Sequence, residues 1–340
     1  MHCFVTGANG FIGANLVREL NARGHEVRAL VRPQADLRGL AGARWEAVHA
    51  ALTDRAALAG AMRGCDWCFH VAASYHLWLP DYAPLYAANV EGTRAVLEAA
   101  GDAGCRRIVY TSTVGVLRPP PSQAGKPAPV DETALATLEE MANPYKRSKW
   151  LAEEVARGLA ARGLPIVMVN PTAPVGPRDV KPTPTGQVVV DFLNRAMPAF
   201  LDTGLNWVHV RDVAVGHILA AERGRVGERY ILGHEQGNWT LQEALQILSE
   251  ISGLPAPRWR VPYAVAYLFA CLDEAKSRWT RRPPRAPLAG VRMARHKMFF
   301  TPAKAVRELG LPQTPPREGL EEAVAWFRAN GLVRLPRPTG

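Results

Sequence analysis

Apolar positions along the first 170 residues follow two alternating rhythms. Short runs such as "HCFVTG", "HEVRALVR", "RWEAVHA", "WCFHVAA", "RRIVYTST" and "PIVMVNPT" are rich in β-branched and aromatic residues and read as strands. Other segments repeat their apolar residues every three or four positions and read as helices. These are "FIGANLVRELNARG", closed by Gly24, "DRAALAGAMRG", "LYAANVEGTRAVLEAAGDAG" and "NPYKRSKWLAEEVARGLAARG". Strands separated by helices predict a parallel sheet covered on both faces, an α/β doubly wound Rossmann architecture.

After Pro171 the rhythm loosens. "APVGPRDVKPTPTGQ" is rich in proline and glycine and reads as a loop. "LNWVHVRDVAVGHILAAERG" returns to a strand and a helix, and "TLQEALQILSEISG" opens with a capping box from Thr240 to Glu243. Further helices are predicted over 261–272, over 302–309 and in "REGLEEAVAWFRANG". The pattern divides the chain into a large domain over 1–175, to which 207–232 returns. A smaller C-terminal domain takes 176–206 and 233–330, and 331–340 is a tail.

The 340 residues are 48% hydrophobic and 21% charged, a globular composition. The start "MHCFVTGANG" lacks the charged and long apolar regions of a signal peptide, and the apolar run Val261 to Leu272 is too short to span a bilayer. A cytoplasmic protein is the expectation. Five scattered cysteines do not suggest a disulfide framework. Cys65 and Cys68 form "CDWC", but it leads into a strand, which favours packing over redox chemistry. No second Cys/His pair has ligand spacing, so no metal is expected.

Net charge is +10, and it is localised. Residues 1–254 hold 25 Lys+Arg and 25 Asp+Glu, whereas 255–340 hold the remaining 16 and 6. The arginines are not interleaved with aromatics as in a nucleic-acid module. An anionic substrate, an anionic membrane surface or a solvated face remain. "VPYAVAYLFACLDEAKSRWTRRPPR" joins an apolar helix to Arg278, Arg281, Arg282 and Arg285. The favoured reading is a helix buried against its neighbours. The alternative rests it on an anionic membrane, peripheral to the inner face.

"VTGANGFIG" places Gly7, Gly10 and Gly13 between the first strand and the first helix. Residues without a Cβ let the backbone curl tightly and approach a pyrophosphate, while the helix offers free N–H groups and a positive dipole end. Dinucleotide binding is predicted, with Asn9, Phe11 and Ile12 in the same turn. An acid at the end of the second strand would hold the ribose of NAD. Arg32 stands there instead, with no acid between Val27 and Gln34. NADP(H) is therefore favoured, with NAD(H) as the alternative. Ala51 replaces an acid that often contacts adenine, which leaves Leu52 and the backbone for that role.

Asn143 and Pro144 suit a helix start, so Tyr145 and Lys149 lie one turn apart on one face. A phenol is ordinarily too weak an acid to serve as a base at neutral pH; a nearby ammonium lowers its pKa. Tyr145 can then exchange a proton with an alcohol or ketone during hydride transfer. The fifth strand ends in Thr111, Ser112 and Thr113, whose hydroxyls line the crevice at the strand ends.

These motifs, together with "HVAA" at 70–73, "NVEGT" at 89–93 and Asn170–Pro171, resemble the extended short-chain dehydrogenase/reductases over nearly the whole chain. The resemblance implies that Thr113 is the catalytic hydroxyl, Tyr145 the acid/base and Lys149 a contact to the nicotinamide ribose. It also sets Ala72, Ala73, Asn89, Thr111, Asn170 and Pro171 along the cofactor. Helices at 84–103 and 144–162 resemble the family's dimerisation bundle, which implies a homodimer. "YHLW" at 75–78, 170–187, 202–217, 227–233 and 291–300 further resemble the hopanoid-associated sugar epimerases, relatives of dihydroflavonol 4-reductase.

Val114 and Gly115 follow Thr113 where dehydratases of that family carry Asp-Glu, which argues against dehydration. An epimerase linked to hopanoid metabolism and an NADPH-dependent ketone reductase remain, the epimerase favoured by resemblance. The substrate would be a nucleotide sugar, a sugar-lipid or a ketone. Ser74, Tyr75, Trp78, Thr172, Lys181, Thr185, Asn206 and His209 are the substrate-side candidates, although a lone His209 is more often a satisfied interior residue. A non-catalytic NAD(P)-sensing regulator is the rival class, and the Tyr145–Lys149 pair counts against it.

Overall fold

The computed structural model describes residues 1–121 and 126–334, so the predicted tail lies outside it from residue 335 on. The elements run β1 (His2–Thr6), α1 (Phe11–Ala22), β2 (Glu26–Leu30), β3 (Glu46–Val48), α2 (Arg55–Met62), β4 (Trp67–His70), α3 (Ala83–Tyr86), α4 (Gly92–Asp102), β5 (Arg107–Thr111), α5 (Pro144–Ala161) and β6 (Ile166–Pro171). They continue through β7 (Ala173–Val175), α6 (Pro184–Leu193), β8 (Ala199–Phe200), β9 (Gly204–His209), α7 (Val210–Arg223), β10 (Arg229–Leu232), β11 (Asn238–Thr240) and α8 (Leu241–Ser252). The last are β12 (Trp259–Arg260), α9 (Tyr263–Thr280), α10 (Leu288–Met293), β13 (Lys297–Met298), α11 (Ala303–Leu309) and α12 (Pro316–Ala329).

Seven parallel strands form the main sheet in the order β10-β6-β5-β4-β1-β2-β3. Its inner strands are buried throughout and mostly apolar: every residue of β4 and β6 is buried, with His70 and Asn170 as the polar residues near their carboxyl ends. Such strands need helices on both faces. One face packs Leu16, Val17 and Leu20 of α1, Val213 and Ile218 of α7, and Leu309 of α11. The other packs Leu58 and Met62 of α2, Val96 and Leu97 of α4, and Ala152 and Ala156 of α5. The strand order reverses between β1 and β4, which opens a crevice above their carboxyl ends. A π-helical turn at Ala87–Glu91 joins α3 to α4 and carries Asn89; such turns often sit at functional sites.

The smaller lobe is built on β9, which pairs with β7, β11 and β13. Helices α6, α8 and α12 close around Phe192, Trp207, Leu245 and Phe327. The capping box of α8 is formed: Thr240 Oγ1 accepts from Glu243 N at 3.2 Å, and Glu243 Oε2 accepts from Thr240 N at 2.7 Å. α11 falls in the sequence range assigned to this lobe, yet it packs against α7 and β10 of the main sheet.

One expectation is overturned. The sequence pattern favours a buried apolar helix at 261–272, but α9 buries only Ala270 and Ser277. Val265, Leu268, Phe269 and Leu272 are 58%, 62%, 53% and 65% exposed. The cause is on its inner face. Asp273 accepts from Ala286 N at 3.0 Å and Glu274 from Leu288 N at 3.3 Å, so the acids turn inward to hold the following loop. No helix of the described residues is long and apolar enough to cross a membrane.

Candidate active site

The crevice begins at Thr6, whose buried hydroxyl accepts from Ala72 N at 3.1 Å and contacts His70 Nδ1 at 2.8 Å. This ties the ends of β1 and β4 together. Gly7 has φ +68°, and a Cβ there would lie 2.6 Å from Ala72 N. A Cβ on Gly13 would run into the Gly7 carbonyl oxygen. The backbone is thus as tight as the spacing predicts. Gly10 stands at the N-cap of α1 with no side-chain cap and no acid in the first turn. In contrast, α2, α5, α6 and α8 are capped by Asp54, Asn143, Thr183 and Thr240. The N–H groups of Phe11, Ile12 and Gly13 have no intrahelical acceptor and add to the positive end of the helix dipole. A glycine cradle under a bare helix start fits a pyrophosphate.

Asn9 Nδ2 donates to the Asp36 carbonyl at 3.4 Å, which ties this turn to the loop after β2. Arg32 is exposed in that loop. The nearby acid is already engaged, since Asp36 pairs with Arg38 at 2.7 Å. Leu52 packs on α4, where a Cβ on Gly92 would lie 2.8 Å from Leu52 Cδ2. Ala72 is half-buried and Ala73 exposed just past β4.

Asn143 Oδ1 accepts from Lys146 N at 2.9 Å and starts α5, which sets Tyr145 and Lys149 one turn apart. Lys149 is buried; its Nζ donates to the Thr111 carbonyl at 2.8 Å and lies 4.7 Å above the Tyr110 ring. Burial lowers its ammonium to about 8, partly opposed by Glu153. Burial, and then Tyr75, raise the Tyr145 phenol above its ordinary value. The Tyr75 ring stands edge-on to Tyr145 at 4.5 Å. Thr113 Oγ1 accepts from Gly115 N at 3.1 Å, which leaves its proton for another acceptor. Val114 and Gly115 form a buried 3-10 turn against α5.

Several of the predicted cofactor residues bond within the protein. Asn170 Nδ2 donates to the Thr113 carbonyl and to Glu153 Oε2, both at 3.0 Å. Glu153 in turn pairs with Arg229 at 2.8 Å. Asn170, followed by buried Pro171, therefore fixes the strand end that carries Thr113. The Thr111 hydroxyl turns to His217 Nε2 at 2.9 Å, so only its carbonyl faces Lys149. Asn89 accepts from Ser74 N at 2.7 Å and donates to Ser74 O and Ser148 Oγ, both at 2.9 Å. It pins the segment after β4 onto α5. Ser148, which also donates to the Tyr145 carbonyl at 2.8 Å, was missed in the sequence. So was Lys146, a buried amine lowered to about 8 by burial. Its only signal is its place next to Tyr145.

The substrate-side candidates separate into two groups. Tyr75 follows β4 and stands against Tyr145, Ser74 and Trp78 are half-buried in the same segment, and Lys181 is exposed. The others turn inward: the side chains of Thr172, Thr185 and Asn206 bond within the protein, which argues against a substrate role, whereas buried His209 keeps an Nε2 without a hydrogen-bond partner. Asn206 Nδ2 donates to His234 O at 2.8 Å, Asn238 Oδ1 at 2.9 Å and Phe300 O at 3.1 Å, while its Oδ1 accepts from Thr172 Oγ1 at 3.1 Å. Thr185 donates to Pro174 O at 2.7 Å. His209 Nδ1 accepts from Arg211 N at 3.0 Å at the start of α7, and its Nε2 lies 3.4 Å from Glu322. Cys65 and Cys68 are buried with thiols raised by desolvation, the opposite of a reactive pair.

From the glycine cradle at the start of α1, the carboxyl ends of β4 and β5 lead toward the half-buried Tyr145 phenol and the buried Lys149 amine. The class this defines is an NAD(P)-dependent oxidoreductase or epimerase. Residues 3–233 match the model of the NAD dependent epimerase/dehydratase family, and the chain belongs to that family. It is 45% identical to a protein provisionally named dihydroflavonol 4-reductase from Synechocystis sp., over 97% of this chain and 96% of that one. It is 36% identical to sterol demethylase protein B of Methylococcus capsulatus, over 98% and 100%. Among solved structures, gox2253 superposes with a TM-score of 0.85 at 42% identity, covering 98% and 99% of the two chains. A nucleoside-diphosphate-sugar epimerase from Pseudomonas aeruginosa does so with 0.81 at 27%, with the same coverage.

Proposed function

We propose that the protein is an NADPH-dependent reductase of a ketone on an apolar substrate. The observation that carries this reading is Arg32, exposed past β2 while the neighbouring acid, Asp36, is held by Arg38. That arrangement suits a 2′-phosphate and not a bare ribose diol. When bound, the cofactor supplies a hydride to the carbonyl carbon. Tyr145 gives its phenolic proton to the carbonyl oxygen, and the Thr113 hydroxyl donates a hydrogen bond to the same oxygen. Lys149 stabilises the phenolate left behind, which solvent then reprotonates. Burial favours the protonated phenol at rest, the form a reduction consumes.

Similarity to the dihydroflavonol and sterol proteins supports an apolar substrate, as does the Tyr75 ring beside Tyr145. The second reading is an epimerase on a nucleotide sugar or sugar-lipid linked to hopanoid metabolism, favoured by the likeness to the Pseudomonas epimerase. The same three residues serve it. A homodimer through α4 and α5 belongs to either reading.

The test is the cofactor. We expect the purified protein to carry no dinucleotide and to bind NADPH more tightly than NADH. Arg32→Glu should lower that preference roughly 10–100-fold, the loss of one charge-assisted contact. NAD or NADH released on denaturation, or tighter binding of NADH than of NADPH, would turn the assignment to the epimerase, and an unchanged preference in the variant would remove Arg32 as its cause.

A further inference from the structure

The outward face of α9 inverts the usual arrangement of a surface helix. Val265, Leu268, Phe269, Leu272 and Trp279 recur at spacings of three, four and seven residues, a single stripe. All five face solvent, Trp279 at 88% exposure. Its acids, Asp273 and Glu274, point inward to the loop they cap. Isolated exposed apolar residues need no explanation, but a contiguous stripe of this size marks a contact surface.

The charge around the stripe identifies the partner. Lys276, Arg281, Arg282 and Arg285 have no acidic partner among the described residues, and Arg278 shares Glu274 at 3.2 Å. A second copy of the chain would meet the stripe across a two-fold axis and set this cationic rim against itself. A lipid surface of anionic headgroups instead neutralises the rim while its acyl boundary takes Leu268, Phe269 and Leu272.

We propose that α9 is an interfacial anchor that docks the protein on an anionic membrane. The anchor stands next to the active site. α10, which packs on α9, approaches Leu77, where a Cβ on Gly290 would lie 3.4 Å from Leu77 Cδ1. Two residues earlier, Tyr75 touches Tyr145. Docking would thus hold the substrate side of the protein within one short helix of the bilayer, where the apolar substrate of the proposed reductase would reside.

Co-sedimentation of the full chain with vesicles tests this without turnover, so its failure is separate from failure of the reductase reading. Phosphatidylcholine vesicles are compared with and without phosphatidylglycerol, at low and high salt. We expect binding to the anionic vesicles that weakens with salt. Arg281→Gln with Arg282→Gln should reduce it roughly 30-fold, two charges at about 1 kcal/mol each. Leu268→Glu with Phe269→Glu should abolish it while leaving the far-ultraviolet circular dichroism unchanged, since both side chains are exposed. Absence of binding at low salt, or equal binding to both kinds of vesicle, overturns the proposal. So does a change of oligomeric state in the Leu268/Phe269 variant by sedimentation velocity, which would make the stripe a contact between copies.

Discussion

Burial pushes the two central residues in opposite directions. The Tyr145 phenol is raised and the Lys149 ammonium is lowered to about 8, so both are drawn toward their neutral forms. The pair therefore favours proton donation at rest, and the phenolate becomes tolerable only when positive charge stands beside it. Removing the proton should then remove chemistry and little else. Tyr145→Phe is expected to lower kcat by about 10²–10⁴-fold while the Kd for NADPH moves by less than about two-fold. Steady-state kinetics on a ketone panel and fluorescence titration of the cofactor check this; unchanged turnover would remove Tyr145 from the reaction. The pair was legible in the sequence because its chemistry lies within a single helical turn. Asn206 and His209 were not. Their neighbours His234, Phe300 and Glu322 stand 28, 94 and 113 positions away, and only folding shows that both side chains turn into the protein.

At the level of elements, the glycine turn and α9 differ in how far local pattern reaches. The turn was legible because a tight curl has a backbone cause that Gly7 and Gly13 satisfy by lacking a Cβ. Gly13→Ala should press a methyl group into the Gly7 carbonyl and move the start of α1. The expected result is at least about a ten-fold loss of dinucleotide affinity, and loss of the thermal stabilisation that added NADPH gives. Calorimetric titration and a melting curve with and without NADPH measure both; unaltered affinity would mean that the diphosphate does not sit in this cradle. For α9 the apolar periodicity was equally plain, but periodicity states that a stripe exists, not which way it faces. Its direction is set by Asp273 and Glu274 reaching the backbone of Ala286 and Leu288, a contact across a loop that no helical pattern encodes. The short strands of the smaller lobe were unread for a similar reason: β7, β11 and β13 are held by pairing with β9, not by their own composition.

Across the whole molecule, two buried histidines fasten the helical layers to the sheet at the end where the site lies. His70 bridges Thr6 of β1 and Thr93 of α4, at 2.8 and 3.0 Å. His217 of α7 accepts from Thr111 of β5 at 2.9 Å and donates from Nδ1 to the Val213 carbonyl at 2.7 Å. Burial lowers both imidazoles, His70 to about 3, with Lys149 adding to the shift, and His217 to about 4. A base lowered on folding takes up its proton more readily in the unfolded chain. The stability each histidine contributes is therefore full above pH about 6.5 and is lost as pH falls toward the folded value. Each should cost about 1.4 kcal/mol per pH unit within that window. Other groups titrate there too. The Asp179 carboxyl, raised by burial to about 6, acts in the opposite sense between its unfolded and folded values. The informative quantity is thus the difference between wild type and His217→Gln, in which an amide replaces the titrating ring. Denaturant unfolding from pH about 7 to about 4.5 should show the variant less stable at neutral pH but losing stability more slowly on acidification, by about 1.4 kcal/mol per unit. Parallel curves would mean that His217 is not held neutral, and that the junction of α7 with β5 tolerates a charge next to the strand that carries Thr113.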